Sequence, residues 1–302
     1  MLSPYALGAT LYMPATRPDL WSVVSGQKIP NLKSVVICLE DAVSEMDVSL
    51  ALQHVQQLLH RLVQEERATH APLLFIRPRH VRMAAQLSEW SLIHQIDGMV
   101  LPKFDLHTAR QWQDAVARHL LLMPTLETQM VYDSVAMREL RMYLQEQALP
   151  ILALRIGGND LLACLGLRRP RLQTIYQTPV GALIAQLVGL FRPYGFALTA
   201  PVCEYFQDDP LLQAELQQDL QNGLVGKTVI HPSQIALVHE AFQVSMSDFA
   251  AAQQILSPHA QAVFQHEGAM LEPATHLAWA QQIGERAKYF GVQEKVAHLQ
   301  VL

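Results

Sequence analysis

Short apolar, β-branched runs recur along the chain and alternate with stretches whose leucines and valines fall at i, i+3 and i+4. The runs are Ala9–Met13, Val35–Leu39, Leu73–Ile76, Gly98–Leu101, Leu120–Met123, Ile151–Ile156, Phe196–Thr199 and Thr228–Ile230, and each predicts a strand. Between them Leu50–Leu62, Met83–His94, Ala109–His119, Met130–Gln145, Val180–Phe191 and Pro210–Leu220 predict amphipathic helices. Strands alternating with helices imply parallel strands joined by crossovers, and eight repeats predict an α/β fold closed as a (β/α)8 TIM barrel over residues 1–235. An open doubly wound sheet would usually carry a Gly-rich turn after its first strand, where this chain has Met13-Pro14-Ala15-Thr16-Arg17. Beyond Ile235 the spacing is helical only, over His239–Val244, Asp248–Leu256, Ala260–Phe264 and Thr275–Phe290. This predicts a C-terminal helical extension, residues 236–302, that could cover the barrel mouth or pack on a neighbouring subunit.

Composition narrows the class. The chain has 302 residues, of which 50% are hydrophobic and 16% charged, enough apolar material for a large core. A net charge of -5 with no basic run argues against nucleic acid as the main partner. Cys38, Cys164 and Cys203 lie far apart in apolar stretches, which reads as reduced core cysteines rather than a disulfide frame or zinc site. The first residues lack a basic segment followed by an apolar one, and Gly181–Phe191 falls far short of the roughly 20 residues that span a membrane. The expectation is a soluble, cytoplasmic protein with no membrane partner.

In such a barrel the chemistry lies at the C-terminal ends of the strands. The residues that follow the predicted strands there include Glu40-Asp41, Arg77-Pro78-Arg79, Lys103, Glu127, Asp160 and His231. Clustered carboxylates repel one another unless a cation lies between them, so Glu40, Asp41, Glu127 and Asp160 suggest a hard divalent ion. No His-x-x-x-His or paired cysteine accompanies them, which favours Mg²⁺ over zinc. Arg77 offers a planar fork for a substrate carboxylate. These parts suit enolate chemistry, with a Lewis acid at one oxygen and a guanidinium at the carboxylate.

The motifs LYMP (11–14), CLEDAV (38–43), FIRP (75–78), LPK (101–103), MPTLET (123–128), GGNDLLACLG (157–166) and GKTVIHPSQI (226–235) stand in one order at these strand ends. In that order the chain resembles the citrate lyase β-subunit-like branch of the HpcH/HpaI aldolase family, from about Leu11 to Ile235 and weakly on to Gly268–Pro273. The resemblance implies Mg²⁺ held by Glu127 and Asp160, a small 2-oxo acid contacted by Arg77 and Glu127, and Glu40 and Asp41 ordering water. It also implies a homotrimer, CoA near Arg17, Lys103 and Gly226-Lys227, and Glu272 acting in trans as a catalytic acid. The chain departs from the family pattern at Ala15, Cys38, Pro78-Arg79 and Ala200–Tyr205, and at Glu272, where the family has Asp.

The implied function is Mg²⁺-dependent carbon–carbon cleavage of a 3-hydroxyacyl-CoA, such as citramalyl-CoA or citryl-CoA, to acetyl-CoA and a 2-oxo acid. One alternative is a metal-dependent aldolase on a non-CoA hydroxy-oxo acid or phosphorylated compound, and another is a non-catalytic barrel subunit of a complex. Structural readings also stand beside the site residues: Glu127 complementing a helix dipole, Asp160 capping a helix, Arg77 bridging Asp41 and Arg79 facing solvent. His231 reads mainly as part of a turn in which Ser233 caps the next helix.

Overall fold

In the computed structural model, which describes residues 2–293, the apolar runs become parallel strands β1 (Ala9–Pro14), β2 (Ser34–Cys38), β3 (Leu73–Arg77), β4 (Gly98–Leu101), β5 (Leu121–Leu126), β6 (Leu154–Ile156), β7 (Leu198–Thr199) and β8 (Lys227–Val229). Every residue of β2 and of β4 is buried, as expected of strands covered on both faces. Their order is β7-β6-β5-β4-β3-β2-β1-β8. The ends meet around Ala200, whose N–H donates to Gly226 O at 2.7 Å and whose carbonyl accepts from Thr228 N at 3.1 Å. The sheet is therefore a closed (β/α)8 barrel.

The outer layer is α1 (Leu20–Val24), α2 (Val48–Gln64), α3 (Val81–Ser88), α4 (Leu106–Ala115), α5 (Ser134–Gln147), α6 (Gly158–Cys164), α7 (Pro179–Phe191) and α8 (Asp209–Gln221). Helices α1 and α6 lack a predicted counterpart, because five and seven residues are too few to display a helical period. Inside the barrel Leu7, Val36, Phe75, Val100, Met123 and Ala153 form a dry plug.

The chain divides into two compact units, Met1–Val238 and His239–Leu302, which meet inside α9 (Ser233–Ala241). The second unit contains α10 (Met246–Leu256), a hairpin of β9 (Phe264–His266) and β10 (Ala269–Leu271), and α11 (Pro273–Phe290). Val244, Ala252, Ile255, Phe264, Ala280 and Ile283 form its core. Ala260–Phe264 is not a helix: Phe264 opens β9, and Glu267-Gly268, at φ 46° and 82°, makes the two-residue turn of a hairpin. Residues 294–302 of the expected extension lie outside the described residues. Among the described residues no helix is long and apolar enough to cross a membrane.

Candidate active site

Parallel closure brings the C-terminal ends of β1–β8 to one rim, and a cavity of about 410 Å³ opens there. Its lining includes Tyr12, Arg77, Glu127, Arg155, Asp160 and Thr228. Local signals fix the loops that carry these groups. Thr128, next to Glu127, accepts a hydrogen bond from Met130 N and so starts a 3-10 turn. After β4, Asp105 and Thr108 form a capping box for α4. Lys103 adopts φ 49°, an uncommon conformation outside glycine, and its N–H donates to Glu127 Oε1 at 2.8 Å. After β6, a Cβ on Gly157 would lie 2.4 Å from both Cβ and Oε2 of Glu127, so this position has room only for glycine.

Arg77 is the hub. Its Nη2 lies 2.7 Å from Glu40 Oε2, 3.2 Å from Glu127 Oε1 and 3.4 Å from Asp41 Oδ2. Burial opposes its charge, but Glu127, Tyr12 and Glu40 outweigh that and hold its pKa above the ordinary value. The Nε of Arg77 is buried with no hydrogen-bond partner among the described residues, a donor left over after three carboxylates are served.

The acids divide by environment. Glu127 is 3% exposed, and burial pushes its carboxyl up, Asp160 adding to the rise while Arg77 and Lys103 oppose it. Burial and a hydrogen bond with Asp41 raise Glu40 to about 7. Burial opposes the fall at Asp41, but the Glu40 hydrogen bond and Arg77 bring it below its usual value. The two neighbours are thus pushed in opposite directions, Glu40 up and Asp41 down.

Glu127 and Asp160 converge on one point. Lys103 Nζ lies 3.7 Å from Glu127 Oε1 and forms an ion pair with Asp160 Oδ1. Two carboxylates meeting around one cationic atom, at the mouth of a cavity, form a donor set that fits Mg²⁺, which is usually held by one or two carboxylates plus waters and substrate oxygens. Among the described residues no group of three or more His, Cys, Asp or Glu is placed as a metal cluster.

The structure thus brings Glu40, Asp41, Arg77, Lys103, Glu127 and Asp160 together. Other predicted residues lie elsewhere. Arg17 is paired with Asp19 at 2.8 Å and is not among the residues lining the cavity. Arg79 turns to Val43 O at 2.5 Å and Glu45 at 3.4 Å. Lys227, read from the resemblance as near CoA, is fully buried behind the strand, 2.9 Å from Glu215 and 2.8 Å from Asp219. His231 belongs to a turn, but the capping acceptor is its own Nδ1, which receives Ser233 N at 3.2 Å. Glu272 precedes α11 in the second unit, where its N–H donates to His276 Nδ1 at 3.2 Å. Sequence reasoning missed Tyr12, Thr125, Arg155 and Thr228. A charged residue in the apolar run Leu152–Ile156 was the available signal for Arg155.

A family described as carbon–carbon bond lyase of the TIM-barrel fold matches residues 1–292. A citrate lyase subunit beta-like protein of Deinococcus radiodurans is 28% identical over 88% of this chain and 90% of its own length. A (3S)-malyl-CoA thioesterase of Cereibacter sphaeroides is 24% identical over 93% of this chain and 94% of its own. Among solved structures, CitE of Mycobacterium tuberculosis, in complex with magnesium, acetoacetate and coenzyme A, superposes with a TM-score of 0.69. It is 22% identical, over 94% of this chain and 99% of that one, a likeness of fold.

Proposed function

Because the chain belongs to the carbon–carbon bond lyase family of the TIM-barrel fold, we propose that it works, with Mg²⁺, on a 3-hydroxyacyl-CoA thioester that yields an acyl-CoA and a 2-oxo acid. The observation that carries this reading is the convergence of Glu127 and Asp160 on one cationic point beside Arg77, in the cavity of a carbon–carbon bond lyase. The names of the relatives, a citrate lyase subunit beta-like protein and a (3S)-malyl-CoA thioesterase, support the substrate class.

In the cleavage direction the 3-hydroxyl gives up its proton and the C2–C3 bond breaks. The electron pair stays on C2 as the thioester enolate, C3 becomes the oxo-acid carbonyl, and C2 takes up a proton. Arg77, which lines the cavity, would hold the carboxylate attached to C3 and fix that carbon there. Glu40 is not among the residues lining the cavity, but it stands 2.7 Å from Arg77 with a pKa of about 7 and beside Asp41, which does line it, so it can take or return the hydroxyl proton near neutrality through a water. Glu127 and Asp160 are the residues that would hold Mg²⁺, which supplies Lewis-acid stabilisation of the developing negative charge when bound. We assign the C2 proton to Glu272 of a neighbouring copy in a homotrimer, an arrangement that light scattering would test. The free cysteines favour a cytoplasmic setting.

The test is a product assay on citramalyl-CoA, citryl-CoA and malyl-CoA with Mg²⁺, repeated with EDTA. Acyl-CoA and oxo acid should appear only with metal, and no product from any of the three would remove this substrate class. One observation favours a second reading, an aldolase without CoA: Arg17 is committed to Asp19 and Lys227 is buried, so neither offers a free cation to a nucleotide. Oxo-acid release from a free hydroxy-oxo acid, with none from the thioesters, would select it.

A further inference from the structure

Arg155 lies in the middle of β6, 1% exposed, yet it borders the cavity. Its partners are neutral. Nη2 donates to Thr228 Oγ1 at 2.5 Å and Nη1 to Thr10 Oγ1 at 3.4 Å, with Met123 Sδ at 3.6 Å and the Tyr12 ring centre 5.2 Å from the guanidinium carbon. Among the described residues no carboxylate pairs with it, whereas Arg77 has three acids and the equally buried Arg169 has two. A buried cation without a counter-ion is costly unless something else supplies the charge. Burial pulls the Arg155 pKa down, and Arg77 adds to that fall against the opposing pull of Tyr12.

The strand register extends the feature. Arg155 pairs with Thr125 of β5 and Thr199 of β7, and the hydroxyls of both are buried without a hydrogen-bond partner. In-register neighbours on parallel strands point to the same face, so two unpartnered hydroxyls flank the guanidinium. Thr125 and Arg155 each precede the Glu127–Gly157 contact by two residues, about 7 Å deeper along the strands. The plug of Val36, Phe75 and Met123 lies beneath.

We propose that Arg155, with Thr125 and Thr228, forms an anion subsite at the floor of the cavity, so that the oxo-acid part of the substrate carries a second anionic group remote from the one at Arg77. The inference rests on the lyase reading above, which places the oxo acid between Arg77 and Glu127, and it narrows that acid to a dianion. A carboxylate and a phosphonate offer Arg155 the same chemistry, and the two can be separated.

Calorimetry on the full chain with Mg²⁺ would compare pyruvate, oxaloacetate and phosphonopyruvate. At least one dianion should bind roughly ten- to a hundredfold more tightly than pyruvate, as expected for one added charge-assisted contact. The dianion with the larger preference identifies the second group as carboxylate or phosphonate. Arg155→Met should abolish the preference, bringing the dianions to the affinity of pyruvate for the same variant, while Arg155→Lys should keep part of it. Equal affinity for all three acids, or a preference that survives Arg155→Met, overturns the subsite and leaves the lyase reading standing. Failure of every acid to bind removes both. A crystal structure of the unaltered chain with the tighter dianion decides the matter even if the variants fold poorly: the distal anion lies against Arg155, or the proposal is wrong.

Discussion

Glu40 and Asp41 are neighbours in sequence with opposite behaviour, because one is buried beside Arg77 and the other is 61% exposed. Burial first, and the Asp41 hydrogen bond second, raise Glu40 from 4.5 to about 7 while Arg77 pulls the other way. The folded chain therefore holds that proton more tightly than the unfolded one. The stability it confers is complete below the ordinary glutamate pKa and is lost as pH rises through about 7. Activity should run the opposite way if Glu40 accepts the hydroxyl proton. The profile of kcat/KM should climb through about pH 7 and lose that inflection in Glu40→Gln. An unchanged inflection would transfer the role to another group.

At the scale of elements, sheet and site were legible to different depths. Parallel strands buried on both faces announce themselves as apolar runs, so the limits of β4 can be read from sequence and β2 and β3 to within one residue. Glu40, Arg77, Lys103, Glu127 and Asp160 stand where those runs stop, and a barrel turns that position into convergence. Residues inside a run are harder to read, because one face of each strand looks into the barrel and the other onto helices. Arg155 and Lys227 both sit in apolar segments, yet one reaches the cavity and the other the α8 carboxylates. Only register separates them. The close fit of β5 against β6 also yields a prediction. In Gly157→Ala the new methyl would overlap Glu127 at 2.4 Å, so that carboxylate must move. We expect a stability loss of about 1–3 kcal/mol, typical of overpacking, with a larger proportional loss of kcat. Calorimetry and steady-state kinetics on the same preparation would separate these effects.

At the scale of the whole molecule, a buried ionic network ties the closing strand to the outer layer. Lys227 of β8 contacts Glu215 and Asp219 of α8, Arg169 reaches the same Glu215 at 2.8 Å, and Tyr176 donates to Asp219 at 2.6 Å. Lys227→Met would leave two acids partly uncompensated and should cost about 3–5 kcal/mol, visible as a fall in Tm, while folded molecules keep their activity. A variant that is stable but inactive would place Lys227 in the chemistry after all. The proposed chemistry depends on the barrel delivering Glu127 and Asp160 to one hard cation. Electron paramagnetic resonance titration with Mn²⁺, a stand-in for Mg²⁺, tests this most directly. Wild type should bind one ion at the site, and Glu127→Gln and Asp160→Asn should each weaken it by at least roughly tenfold. Titrations of both variants that superimpose on wild type would show that these two acids do not hold the ion.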